Sequence, residues 1–159
     1  MSKSPIQFRH NGRDVAVFVG GGANLLMVLR DQVGDFTPKF GCGQGGCGAC
    51  TVLIDGDAHL SCLTLAVSVE GRSVETLDSL KDGPRLHPLQ QAFMDHFAAQ
   101  CGYCTPGMLM AAKALLDKNP TPTRAEVVEA ISGNICRCTG YEAIIDAVLD
   151  AAQQPRARA

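Results

Sequence analysis

The sequence predicts an α+β protein in two parts, a small mixed sheet with one helix followed by four helices. Three observations lead there. Apolar residues alternate with period two through the first half, around the turn dipeptides Asn11-Gly12 and Asp55-Gly56. From Leu89 onward the apolar period becomes helical. The eight cysteines divide across the same boundary, with Cys42, Cys47, Cys50 and Cys62 before it and Cys101, Cys104, Cys136 and Cys138 after it.

In the first half, Ile6 and Phe8 precede Asn11-Gly12, and Val15, Val17 and Val19 follow it, as a hairpin requires. Between Ala23 and Val33, the residues Leu25, Leu26, Leu29 and Val33 make one short helical face. Thr51-Val52-Leu53-Ile54 reads as a strand that turns at Asp55-Gly56 and returns through His59-Leu60-Ser61-Cys62, and a further hairpin is expected around Glu70-Gly71. Lys81 to Pro88 is polar, with one Gly and two Pro, and reads as a linker. The expected division is residues 1–80, a linker over 81–88, and a helical part over 89–159.

In the second half, Leu89, Phe93 and Phe97 step by four along a helix that stops near Cys101. Pro106 suits the first turn of the next helix, whose apolar face continues to Leu116 and ends at Asn119-Pro120. Thr123 with Glu126 forms a capping box ahead of Val127, Val128 and Ile131, and Thr139 with Glu142 repeats that pattern ahead of Ile144, Ile145, Val148 and Leu149. The order of helix, paired cysteines, Thr and helix occurs twice, which reads as a weak internal repeat.

Composition narrows the function. With 159 residues, 46% hydrophobic and 19% charged, the chain can bury a core. A net charge of −2 without any Lys/Arg block argues against nucleic acid or anionic membrane as a partner, and 5% aromatic residues with no Trp leave little for base stacking. Apolar runs fall far short of the roughly 18 residues a membrane helix needs. The first residues carry no apolar signal segment, so a cytoplasmic location is expected. In that reducing compartment eight cysteines point to metal or cluster ligation rather than disulfides.

The first set spells Cys-x4-Cys-x2-Cys-x11-Cys, which begins with the plant-type spacing for a [2Fe–2S] cluster. Glycines at positions 41, 43, 45, 46 and 48 allow the chain to wrap tightly and free N–H groups to face sulfur. Gly41, Gly43 and Gly46 also match the spacing of a dinucleotide fingerprint, but a β-branched run follows where a helix is required. The second set, Cys101-x2-Cys104-x31-Cys136-x-Cys138, is not a common zinc spacing. Each of its pairs precedes an expected helix start, which favours an anionic centre. On spacing alone, a second iron–sulfur centre and zinc both stay open.

Three segments carry a resemblance: Gly41 to Val52, Gln100-Cys101-Gly102-Tyr103-Cys104-Thr105-Pro106-Gly107, and Asn134-Ile135-Cys136-Arg137-Cys138-Thr139-Gly140-Tyr141. They are similar to the iron–sulfur subunit of the molybdenum hydroxylase (xanthine oxidase) family over roughly residues 5 to 150, with all eight cysteines in order. The resemblance implies a ferredoxin-like β-grasp domain and a C-terminal four-helix bundle, each with one [2Fe–2S] cluster. It implies a large partner subunit with molybdenum and a pterin cofactor, and a further partner with FAD, or a cytochrome, to receive the electrons. It assigns Cys42, Cys47, Cys50 and Cys62 to the flavin-side cluster, and Cys101, Cys104, Cys136 and Cys138 to the molybdenum-proximal one. Gln100 and Cys138 would approach the pterin, and this chain would hold no catalytic residue. Gly20-Gly21-Gly22 and Phe36-Thr37-Pro38-Lys39-Phe40 depart from the family pattern without touching a ligand position.

Other candidates have plainer readings. His10, His59, His87 and His96 read as surface or packing residues, and Met94, Met108, Met110 and the helix phenylalanines Phe93 and Phe97 as core. Arg137 either tunes a cluster or faces solvent. The tail Pro155 to Ala159 reads as frayed. A freestanding two-cluster carrier and a zinc-stabilised interaction module are the competing functions.

Overall fold

The structure, a computed structural model, describes residues 3–81 and 83–154; the tail from Pro155 lies outside them. It is an α+β fold. Strands β1 (Lys3–His10) and β2 (Arg13–Gly20) form the first hairpin, with Asn11 and Gly12 both at positive φ, the conformation a two-residue turn of this type needs. Strand β3 (Thr51–Ile54) pairs with β4 (Asp57–Leu60) across Asp55-Gly56, and β5 (Ser73–Glu75) completes a sheet of order β2-β1-β5-β3-β4. Only β1 and β5 run parallel, which makes the sheet mixed.

Alternation sets which face of the sheet is covered. Ile6, Phe8, Val17, Val19, Val52, Ile54 and Val74 face one core, closed by Leu25, Val28 and Leu29. The helix expected over 23–33 is shorter and less regular: α1 (Leu25–Val28) carries an Asn24 side-chain cap and passes into a π-helical turn, Leu29–Val33, ended by Gly34 at φ 80°. The hairpin expected at Glu70-Gly71 is absent. A 3₁₀ turn (Ala66–Val69) precedes those residues, and Glu70 accepts the Gln7 N–H at 2.8 Å while Gly71 donates to the Gln7 carbonyl at 2.7 Å. The turn is used to bring β5 alongside β1.

Four helices follow: α2 (Pro88–Asp95), α3 (Thr105–Lys118), α4 (Arg124–Ile131) and α5 (Glu142–Gln153). Thr123 and Glu126 form the expected reciprocal cap of α4. His87 caps α2 in the same way with Gln90. Helix α5 departs from expectation, because its N-cap is Tyr141 and Thr139 turns its hydroxyl to a cysteine instead. Leu53 of β3 and Leu80 are buried in the helical core with Leu89, Phe93, Met108 and Ile144. Strand β3 thus has one face in each core, and α3 covers the sheet on its second side. Among the described residues no helix is long and apolar enough to cross a membrane.

Candidate iron–sulfur centres

The first cysteine set lies on an irregular loop between the π-helical turn and β3, with its last member just beyond β4. Cys62 is therefore on the turn after the returning strand rather than within it. Cys42 and Cys47 are partly exposed, whereas Cys50 and Cys62 are buried. The thiols act on one another in pairs, Cys42 with Cys47 and Cys50 with Cys62. Backbone N–H groups face them: Gln44 donates to Cys42 Sγ at 3.5 Å, and Gly46 and Cys47 also donate to Cys42. That shell lowers the Cys42 thiol to about 7, the Gln44 N–H being the largest contributor. Burial pushes Cys47 up and Cys62 to about 11.

The second set joins two segments of the helical half. Cys104 is the N-cap of α3 and Cys136 is buried, while Cys101 and Cys138 are exposed. Here too the thiols pair, Cys101 with Cys138 and Cys104 with Cys136. Burial pushes Cys104 up to about 12. Burial acts the same way on Cys136, but the Thr139 hydroxyl, 3.1 Å from its sulfur, together with the N–H groups of Cys138 and Thr139, outweighs it and the thiol is lowered. Only the first pair adjoins a helix start directly. Thr139, Gly140 and Tyr141 separate Cys138 from α5, so one helix dipole rather than two is aimed at close range. Tyr141 contributes its hydroxyl, which accepts the Cys136 N–H at 3.0 Å.

Each set is thus two thiol pairs, one more exposed than the other. Among the described residues no three His, Cys, Asp or Glu side chains converge closely enough to hold a single metal ion. Paired thiolates with N–H and O–H donors at sulfur fit a two-iron cluster, which needs two thiolates at each iron and gains from donors once it carries more negative charge.

The two sets are bonded to each other through the backbone. Ile135 donates its N–H to the carbonyl of Cys47 at 2.9 Å. Asn134, buried at 5% exposure, donates its side-chain amide to the Gly48 carbonyl at 2.9 Å and to Thr51 Oγ1 at 3.3 Å. Tyr103 donates its hydroxyl to the Phe40 carbonyl at 2.7 Å. Gly48 sits at φ 69°, and a Cβ on it would stand 2.5 Å from the Gly133 carbonyl, so no larger residue fits there. Asn134, Tyr103, Thr139 and Tyr141 are roles that sequence reasoning missed. Their proximity to the cysteines in the chain was the available signal.

The remaining candidates are placed as follows. Gln100 is exposed beside the second set, with its amide donating to the Cys138 carbonyl at 3.2 Å. His10 is packed against Asp35 at 2.9 Å, and His96 lies 3.3 Å from Asp150 on the surface. Met108, Met110 and Phe93 are core, but Met94 is 62% and Phe97 83% exposed, because α2 ends at Asp95 rather than near Cys101 and the chain turns away at Phe97. Arg137 is exposed. In the unusual approach to Cys42, the Arg30 guanidinium lies over the Phe36 ring and donates to the Pro38 carbonyl at 2.9 Å.

This arrangement defines a two-part iron–sulfur protein, and comparison with known proteins says which. The family model described as 2Fe-2S iron-sulfur cluster binding domain matches residues 8–74, and that described as [2Fe-2S] binding domain matches residues 74–149. The chain is 54% identical to the nicotine 6-hydroxylase small subunit of Paenarthrobacter nicotinovorans, over 91% of this chain and 87% of that protein. It is 44% identical to the xanthine dehydrogenase iron-sulfur-binding subunit of Escherichia coli O157:H7, over 88% and 89% respectively. Among solved structures it superposes on a chain of quinoline 2-oxidoreductase from Pseudomonas putida 86 with a TM-score of 0.92 and 49% identity, over 96% of this chain and 94% of that one. The chain belongs to the family of iron–sulfur small subunits of the molybdenum hydroxylases. Its role is electron transfer within an oxidoreductase, through two [2Fe–2S] binding domains.

Proposed function

We propose that Cys42, Cys47, Cys50 and Cys62 hold one [2Fe–2S] cluster and Cys101, Cys104, Cys136 and Cys138 the other. In this reading the chain relays single electrons from a large molybdenum–pterin subunit toward FAD on a further subunit, or a cytochrome. The single observation that carries it is the meeting of thiols in four pairs, two per set. When bound, each cluster takes up and gives back one electron. The protein's part is to hold the thiolates, supply donors at sulfur, and keep the two sets in fixed register. The direct bond from Ile135 to Cys47 supports passage of charge between the sets, since it links two ligand-bearing segments by backbone and one hydrogen bond.

The exposed pair Cys101 and Cys138, with Gln100 bonded across it, is the face that would meet the pterin. The partly exposed Cys42 and Cys47 would face the acceptor side. The two parts correspond to a β-grasp domain over residues 1–80 and a four-helix bundle over 89–159, joined by 81–88; the sheet order and the pairing of α2 with α5 and α3 with α4 support this division. The cytoplasm is the proposed location.

The test is to substitute one buried thiol from each set, Cys50→Ser and Cys136→Ser, in the assembled complex. Each variant loses one of two EPR signals in the reduced protein and keeps the other. Loss of both signals in both variants, or of neither, would overturn the assignment of four cysteines to each cluster.

A further inference from the structure

Asn134 stands at the seam between the two cysteine sets, one residue before Ile135, and its side chain grips Gly48, one residue after Cys47. The gripped pair, Gly48 and Asn134, therefore flanks the bonded pair, Cys47 and Ile135. On its own side Asn134 is anchored by its N–H to the Ile131 carbonyl at 2.9 Å, at the end of α4. On the far side its amide N–H is shared between the Gly48 carbonyl at 2.9 Å and Thr51 Oγ1 at 3.3 Å, two acceptors that are themselves 2.7 Å apart. The contact is close, for a Cβ on Gly48 would stand 2.6 Å from Asn134 Nδ2. The Gly48 carbonyl has other donors, the Thr51 N–H at 3.0 Å and the Thr51 hydroxyl at 2.7 Å. Removing the Asn134 amide thus leaves no orphaned carbonyl, and what it releases is position rather than the loop's own hydrogen bonding.

We infer that Asn134 is a positioning residue for electron exchange between the two cysteine sets, holding the Cys47 carbonyl on the Ile135 N–H. The inference rests on the function proposed above. Electronic coupling through a hydrogen bond falls steeply when the bond opens into a gap, so a residue that fixes this one bond acts on the exchange rate without touching a cluster. Tyr103 also ties the two segments, but through Phe40, which lies outside the route from Cys47 to Cys136.

The experiment uses the assembled complex with wild-type, Asn134→Ala, Asn134→Ser and Tyr103→Phe small subunits. Iron and sulfide are counted, hydrogen exchange of the Ile135 amide is followed, and freeze-quenched EPR tracks both signals after partial reduction by dithionite. The expected result for Asn134→Ala is full iron, faster exchange of the Ile135 amide, and equilibration between the clusters slowed by about tenfold. Tyr103→Phe should stay within about twofold of wild type on the same readouts. Asn134→Ala with full iron and the wild-type rate would overturn the inference, as would an equal slowing in Tyr103→Phe. If Asn134→Ala fails to assemble, Asn134→Ser decides, because it keeps the anchored N–H and a polar side chain that is too short to reach the Gly48 carbonyl. About threefold slowing supports the positioning role, and the wild-type rate overturns it. A wild-type complex without two [2Fe–2S] signals would overturn the proposed function itself, and this inference with it.

Discussion

A Cβ on Gly107 would stand 2.2 Å from the carbonyl oxygen of Gly48, so the first turn of α3 rests directly on the backbone of the first cysteine loop. Both partners are backbone and neither can swing aside. Gly107→Ala is expected to destabilise the protein by about 1–3 kcal/mol through overpacking. Gly21→Ala, in a turn with nothing within 4 Å of the new methyl, should change stability by less than about 0.5 kcal/mol. Urea midpoints of the two variants check the contrast.

Phe97, the residue after the C-cap of α2, sits in the left-handed region at φ 52° and is 83% exposed. A bulky residue there carries strain that glycine avoids, and the exposed ring returns little burial. Phe97→Gly should therefore raise stability by about 1 kcal/mol, read as a higher urea midpoint.

Asp35 is 7% exposed and is held by His10 at 2.9 Å, the Thr76 hydroxyl at 2.6 Å, and the N–H and hydroxyl of Thr37 at 2.8 and 2.6 Å. Burial works against its charge, but these contacts outweigh it and hold the carboxyl well below the usual carboxylate range. With the folded value depressed, the unfolded chain binds the proton first as pH falls. The stabilisation is complete above the unfolded carboxylate value near 4 and is lost progressively below it. Asp35→Asn should cost about 2 kcal/mol at neutral pH, and the gap from wild type should narrow as the medium is taken below about pH 4. Comparing the two proteins in parallel acid titrations cancels the acid lability they share.

The Thr139 hydroxyl is 3.1 Å from Cys136 Sγ. A donor at sulfur favours the more anionic, reduced state. Thr139→Val should make the cluster assigned to the helical half harder to reduce, by about 40 mV if the bond is worth about 1 kcal/mol. A redox titration followed by EPR reads that shift, and the other signal should hold its potential.

Local signals were legible in the sequence. Asn11-Gly12, Asp55-Gly56 and the pairing of Thr123 with Glu126 each act over four residues or fewer, and the structure uses them as expected. The same reading failed at Thr139, whose spacing to Glu142 also fits a capping box. A neighbouring sulfur competes for that hydroxyl, and the helix starts from Tyr141 instead. Glu70-Gly71 was another such case, because the choice between a hairpin and a crossover depends on Gln7, 63 residues away. The cysteine spacings identified the two sets, but nothing local shows that Asn134 reaches across 86 residues to Gly48. Leu53 likewise alternates as a plain strand residue, and only the docked helices show that its side of the sheet is a second core.

The proposed relay requires two [2Fe–2S] clusters on one chain, each held by four cysteines. EPR of the anaerobically purified, dithionite-reduced protein, with iron and acid-labile sulfide counted on the same sample, tests it most directly. Two distinct S = 1/2 signals with about four iron and four sulfide per chain are the expected result. A colourless protein with about two zinc ions, no sulfide and no signal would contradict it.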